Sequence, residues 1–217
     1  MNSQTYTDRN AAAFDRLRSL KEDNEGTQAL MNALRPRFAA YATRHEDGTA
    51  PQAVAAHQLF QTPAALAQRL AALIPSDAQT ILEPSAGLGR ILDALNPAAS
   101  VTAVEISPDL CAVLYKQARP NVTLLQRDFL TVQPDTLPQF DAVAMNPPFT
   151  MRSDIRHILH ALKFLKTGGA LVALCMDTPH REKALRHLAD HWEPIPAGAF
   201  RSEGTETATV LLRITKQ

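Results

Sequence analysis

Downstream of residue 78, short apolar runs rich in β-branched residues alternate with stretches whose apolar positions recur at helical spacing. The runs are "TILEP", "SVTAVEI", "VTLLQRDF", "FDAVAMN", "ALVALCM" and "TATVLLRIT". Between them, "GRILDAL", "PDLCAVLYKQA", "SDIRHILHALKFL" and "REKALRHLADHW" carry the periodicity of helices that cover a sheet. Strand and helix in alternation predict an α/β fold, a mainly parallel sheet with helices on both faces. The last strand departs from this rule. "EPIPAGAF" is joined to "TATVLLRIT" by "RSEGTE", a hairpin-like link, so the final strand is expected to run antiparallel.

Upstream, the stretch from Asp8 to Arg44 is rich in Ala, Leu, Arg and Glu, with Phe14, Leu17 and Leu20 at helical spacing. It predicts two helices broken near "NEGT". The polar stretch "RHEDGTAPQ" has the composition of a linker. The expected organisation is a helical N-terminal segment over residues 1–56 and a main domain over 57–217. That domain opens on Thr62-Pro63, read as a helix start with Thr62 as N-cap and Pro63 in the first helical position, leading into "AALAQRLAALI" and ending at Pro75.

A chain of 217 residues has room for one well-buried core and a small appendage. Its 45% hydrophobic and 20% charged residues are ordinary for a soluble globular protein, and no apolar run is long enough to span a bilayer. Membrane insertion is not expected. Charges in the first residues occupy the place of the apolar core of an export signal, so a cytoplasmic location is expected. Cys111 and Cys175 lack partners at metal-ligand spacing and are read as buried small hydrophobes. The net charge is zero, so a polyanionic partner would have to be met by a local patch. Candidates are Arg16, Arg18 and Lys21; Arg35, Arg37 and Arg44; Arg152 and Arg156; and Arg181, Lys183 and Arg186. Each is read first as a solvated helix face unless it lies beside the site.

In a doubly wound sheet, ligands bind beyond the carboxyl ends of the strands. After the first predicted strand come Glu83 and "PSAGLG", where Gly87 and Gly89 permit a tight turn and close backbone approach. The spacing is neither that of a dinucleotide fingerprint nor that of a phosphate-binding loop, and the leading carboxylate favours a cation. After the second strand comes Glu105, able to accept from two vicinal hydroxyls. After the third, Asp128 offers an acceptor for an exocyclic amine and Phe129 an apolar wall for a flat ring. Together these describe a pocket for a cationic aminoacyl nucleoside.

At these residues the chain resembles the class I S-adenosylmethionine-dependent methyltransferases, and within them the N6-adenine branch, in the form of a small phage- or plasmid-type enzyme without a target-recognition domain. The resemblance runs from about Phe60 to Thr215 and is carried by "FQTPAALAQRL", "LEPSAGLG", "VEIS", "RDFL" and "NPPF". It implies a Rossmann-like methyltransferase fold and S-adenosylmethionine as cofactor. The implied contacts are Thr62, Glu83, Pro84, Ser85, Ala86, Gly87 and Gly89 for the methionine part, Glu105 with Ile106 for the ribose, Asp128 and Phe129 for the adenine, and Asn146 beside the methyl group.

"NPPF" follows the fourth predicted strand. Two prolines there fix the backbone and remove two donors. The implied catalytic set is Asn146, Pro147, Pro148 and Phe149: the Asn146 side-chain oxygen and the Pro147 carbonyl accept from an amine, and Phe149 stacks on a planar substrate. His157, on the helix that follows, is read as a structural histidine or a substrate contact, not as a general base. The elbow suits any planar group bearing NH2. Adenine in nucleic acid, DNA ahead of RNA, with short or relaxed recognition, is the first expectation. Glutamine N5-methylation of protein is the second, and a non-catalytic binding or decoy module the third.

Overall fold

Neighbouring side chains on the strands of this chain point into opposite apolar layers, and the fold is built on that alternation. The structure, a computed structural model, describes residues 61–149, 152–200 and 207–217. The expected helical segment 1–56, its basic clusters, the linker and the "RSEGTE" link lie outside the described residues. Seven strands form one sheet: β1 (Thr80–Glu83), β2 (Ser100–Glu105), β3 (Val122–Gln126), β4 (Phe140–Met145), β5 (Leu165–Met176), β6 (His191–Ile195) and β7 (Thr209–Thr215), in the order β3-β2-β1-β4-β5-β7-β6. Strands β1 to β5 are parallel, and β7 is antiparallel to both β5 and β6.

Ile81, Ala103, Ala142, Ala144, Val172 and Leu211 belong to one buried layer, while their neighbours Leu82, Val104, Val143, Met145, Leu171 and Leu212 belong to the other. The first layer takes Leu66 and Leu70 from helix α1 (Ala64–Ala72) and Leu114 from α2 (Pro108–Lys116). The second takes Ile155 and Ile158 from α3 (Ser153–Ala161) and Leu185 from α4 (Pro179–Leu185). A sheet covered on both faces needs apolar residues at nearly every position, which is why its strands read as continuous apolar runs. Both cysteines are buried as expected, and burial pushes the Cys111 thiol up to about 11 and the Cys175 thiol up to about 12. No helix of the described residues is long and apolar enough to cross a membrane.

The α/β sheet with an antiparallel last strand stands, with four local corrections. "GRILDAL" is not a covering helix: it forms a turn and a single 3₁₀ turn, Leu92–Ala94, and Leu95 is already extended ahead of Asn96-Pro97, where proline disfavours a helical predecessor. "REKALRHLADHW" is split. Its helix ends at Leu185, and "HWEPI" is strand β6, which tolerates Pro194 because it lies at the sheet edge. Strand β7 is inserted between β5 and that edge, and so its residues Thr209 to Leu212 are all buried. Finally, α1 starts one residue later than expected: Pro63 is its N-cap, its carbonyl accepting from the Leu66 and Ala67 amides at 2.9 Å, and Thr62 makes no capping bond.

Away from the ligand-binding end, Asp141 at the start of β4 joins three strands. Its carboxylate accepts from the Gln79 amide at 3.0 Å, the Thr80 amide at 2.9 Å, the Thr80 hydroxyl at 2.8 Å and Lys166 Nζ at 2.6 Å. The Lys166 and Thr80 side chains hold its carboxyl far below the ordinary carboxylate value. The stabilisation is therefore present above the unfolded-state pKa of about 3.9 and is lost as pH falls through the lower folded value. Asp141→Asn should cost about 1.5–3 kcal/mol near neutral pH. In urea melts the wild-type advantage should shrink as the buffer is taken below about pH 4; a variant equally destabilised at pH 3 and pH 7 would refute the assignment.

Candidate active site

The order β3-β2-β1-β4 reverses direction between β1 and β4, and the residues after those two strands lie on either side of the reversal, where doubly wound sheets bind ligands. Glu83 ends β1 and Asn146 follows β4. Glu105 ends β2, level with Gln126 at the end of β3, and Asp128 comes next along that edge. The carboxylates and the elbow expected to act together therefore share one end of the sheet.

Glu83 is 1% exposed, and its Oε2 has no hydrogen-bond partner. Burial raises its carboxyl well above the ordinary value, with Arg119 opposing and Asp93 and Glu105 reinforcing the shift. A buried carboxylate oxygen without a donor is costly unless a ligand supplies one. Beyond it the chain turns through Gly87 at φ 56° and Gly89 at φ 82°. A Cβ on Gly89 would also meet the Arg119 guanidinium and the Leu114 side chain at 3.0 Å, so both conformation and space require glycine.

The loop is held from its neighbours. Glu105 accepts from the Gly87 amide and the Ser107 amide, each at 2.8 Å, which fixes its carboxylate between the loop and the start of α2. Two of its roughly four lone-pair sites are used by these bonds. The Ala86 amide donates to the Val104 carbonyl at 3.1 Å, Gln117 Nε2 to the Leu88 carbonyl at 3.2 Å and Arg119 Nη2 to the Gly89 carbonyl at 3.4 Å. At the far end of the loop, Arg90 Nε donates to Gln61 Oε1 at 3.1 Å. Gln61 is itself buried, and its Nε2 lacks a partner. An unmatched acceptor at one end of the loop and an unmatched donor at the other suit the ammonium and carboxylate of an amino-acid head group.

Of the remaining expected contacts, Pro84 and Ala86 are buried and Ser85 is half-buried along the loop. Ile106 is 46% exposed directly after Glu105, an apolar face open to a ring. Asp128 is exposed, and its Oδ1 accepts from the Leu130 amide at 2.9 Å. The expectation for Phe129 is corrected. The capped 3₁₀ turn directs its ring into the core against His160, with centroids 4.9 Å apart, and Phe164, at 5.3 Å, so it is no wall for a ligand.

At the elbow, Asn146 Nδ2 donates to the Thr62 hydroxyl at 3.1 Å, so Thr62 anchors the elbow amide. Pro147 is buried and Pro148 half-buried. Phe149 is corrected too: its ring is 7% exposed within the first apolar layer, with no face open to a stacked substrate. Its carbonyl accepts from Arg181 Nη2 at 3.2 Å. Arg181 in turn grips Asp154 through two bonds of 3.1 and 3.2 Å, and Asp154 also accepts from the Met176 amide at 3.3 Å. Asp154 is fully buried and Arg181 nearly so. Arg181 is thus a brace for the elbow and not part of a polyanion patch. His157 is structural as well: its Nδ1 lies 2.7 Å from the Ser153 carbonyl, and burial lowers its pKa.

No model of a known protein family matches the chain. Two curated relatives, both named "Probable ribosomal RNA small subunit methyltransferase A", are 37% identical: one from Methanosarcina mazei over 43% of this chain and 34% of its own length, one from Methanosarcina acetivorans over 60% and 52%. The chain thus spans about half or less of the relatives it matches. Among solved structures, a candidate class I S-adenosylmethionine-dependent methyltransferase from Listeria monocytogenes superposes with a TM-score of 0.58 over 91% of this chain and 70% of its own, at 15% identity. The glycopeptide N-methyltransferase MtfA, solved with S-adenosyl-L-methionine, gives 0.52 over 70% of this chain and 93% of its own, also at 15% identity. The fold is that of the class I methyltransferases.

Gln61, Gln117 and Arg119 were not singled out by sequence, and Arg181 was grouped with a basic patch and not with the elbow. Gln61 had a signal, its place directly before Thr62; the others act across the fold and had none. Two outcomes follow. Because the folded pKa of Glu83 is raised, its favourable contribution is present below the unfolded value and is lost as pH rises through the folded one. Glu83→Gln should therefore melt above the ligand-free wild type at pH 8 and level with it near pH 4; parallel melting profiles would contradict a desolvated carboxyl. Arg181→Met should cost about 3–5 kcal/mol by stranding Asp154, and Asp154→Leu/Arg181→Met should recover much of it. Equal losses in the single and double variants would dissolve the brace.

Proposed function

We propose that this chain is a methyltransferase that binds S-adenosylmethionine in the glycine loop and methylates an exocyclic amine of a nucleic-acid base, the N6 of adenine in RNA. One observation carries the proposal: a buried, unpartnered carboxylate oxygen of Glu83 stands at the end of β1, across the strand-order reversal from the Asn146 elbow at the end of β4. A site built for a small cation thereby adjoins one built to hold an amine.

The pocket suits that cofactor residue by residue. Glu83 meets an ammonium and Gln61 a carboxylate, Glu105 keeps acceptor sites for ribose hydroxyls, and Ile106 offers an apolar face to the adenine. When bound, the cofactor would supply an electrophilic methyl group and a thioether as leaving group, and the proton released by the methylated amine would pass to water. The chain's own part is to hold the amine. Asn146, oriented by Thr62, and the Pro147 carbonyl accept its hydrogens, which draws its lone pair out of conjugation with the ring. Phe149, buried in this arrangement, has no share in that step. The sequence placed DNA ahead of RNA; the ribosomal RNA named for both Methanosarcina relatives supports RNA.

The test is transfer of labelled methyl from S-adenosylmethionine to RNA, single-stranded DNA, duplex DNA and a protein extract, each digested for mass spectrometry. N6-methyladenine in RNA is expected, with turnover lowered about 10²–10³-fold in Asn146→Ala. Saturating cofactor at about 100 times its Kd should stabilise the wild type by about 2.7 kcal/mol, and Glu83→Gln should lose most of this. Methylglutamine would redirect the proposal to protein, and absence of any transfer with cofactor bound would withdraw it.

A further inference from the structure

We infer that the outer face of α3 is a phosphate track that seats the sugar-phosphate backbone of the substrate strand beside the elbow; this rests on the nucleic-acid reading proposed above. Arg156, Leu159 and Lys163 are exposed and follow one another at helical spacings of three and four residues, so they fall on one stripe running from α3 into the turn after it, and Arg152, exposed at the N-cap, precedes that stripe in the chain. At about 1.5 Å per residue the stripe from Arg156 to Lys163 is about 10 Å long. It begins near the elbow, because Arg181 bonds both the Phe149 carbonyl and Asp154 in the first turn of α3.

Three features set this stripe apart from an ordinary solvated helix face. Asp154, the only acid between Arg152 and Lys163, is fully buried and gripped by Arg181, so no carboxylate on that segment reaches the surface to offset the cations. The protein has no net charge, so a helix segment whose exposed charges are all cationic departs from its average, with the exposed Asp128 of the neighbouring turn as the acid that acts on this helix. Arg152 is also held in the left-handed region, at φ 61° and ψ 27°, where a residue with a Cβ costs about 1–2 kcal/mol and glycine or asparagine would be easier. An arginine side chain stands at this N-cap in spite of that cost. Leu159, 42% exposed between Arg156 and Lys163, gives the track an apolar step on which a sugar can rest.

The experiment measures binding of a fluorescent single-stranded RNA, and of the matching DNA, to the full chain across a salt series, for the wild type and for Arg152→Gln/Arg156→Gln/Lys163→Gln. Melting temperature and stabilisation by S-adenosylmethionine should be unchanged, since the stripe is on the surface and apart from the loop. RNA affinity should fall about tenfold or more, and the slope of log K against log salt should become shallower by about 2, the value for three lost single-strand phosphate contacts. The KM for RNA should rise with kcat kept. A wild type that binds RNA with a slope the triple variant leaves unchanged overturns the track while sparing the function. A wild type that binds neither polymer overturns the function, and the track with it. A shallower slope seen with DNA alone upholds the track and changes the polymer.

Discussion

A sheet buried on both faces leaves polar chemistry only at its ends. Alternating residues of β1, β2, β4 and β5 are committed to two apolar layers, so a side chain with an unsatisfied polar atom has no tolerable place along the strands. The carboxylates accordingly cluster where the strands stop. The end chosen is set by topology: the chain leaves β1 toward β2 on one side and returns to β4 on the other, opening a crevice between Glu83 and Asn146. At the opposite end Asp141 is saturated with four donors and is purely structural. Two acids on neighbouring strands thus differ in role because one has its donors within the chain and the other does not.

The site is held rigid by interactions that do not touch a ligand. Glu105 bonds the loop through Gly87 and the start of α2 through Ser107, so a residue that offers acceptors to a ligand also fixes the turn that offers backbone amides. Gln117 and Arg119, just past α2, hold the loop's carbonyls, and Thr62 holds the Asn146 amide. Arg181 ties the elbow's Phe149 carbonyl to Asp154 and through it to the end of β5. Positioning within a few tenths of an ångström is what methyl transfer to an amine demands, because the reacting atoms must be aligned before the bond to sulfur weakens.

Much of this was legible in the sequence, for identifiable reasons. Five of the six apolar runs were found because both-face burial writes itself as continuous hydrophobicity; the sixth, edge strand β3, was found from Val122, Leu124 and Leu125 although none of them is fully buried, and Glu83, Glu105 and Asn146 were found because they fall at or directly after the ends of such runs. Strand β6 was not found: as an edge strand it is half-buried and contains Glu193 and Pro194, so it lacks the apolar run that marks the others. Phe129 and Phe149 were placed against ligands on residue type alone, and type does not say which way a ring turns. A 3₁₀ turn sends Phe129 into the core, and packing in the first layer takes Phe149. Arg181 was grouped with its basic neighbours, since nothing in a helix of seven residues announces that its partner is an aspartate on another helix.

The electrostatic problem of such a site also explains where its cations stand. A crevice with Glu83, Glu105 and Asp128 would attract a small cation and, for the same reason, would repel a polyphosphate strand. Free charges separated by more than about 8 Å are largely screened at physiological ionic strength, so the remedy is to put positive charge on the rim and keep negative charge inside. Burial weakens the negative side further, since Glu83 is pushed toward its neutral form until a cation arrives. On the rim, the only carboxylate of α3 is withdrawn into the core and neutralised by Arg181, which leaves Arg152 and Arg156 unopposed on their own helix. The same buried pair therefore serves two ends: it anchors the elbow where an amine would be held, and it removes from the surface the one charge on that helix that would turn a strand of phosphates away.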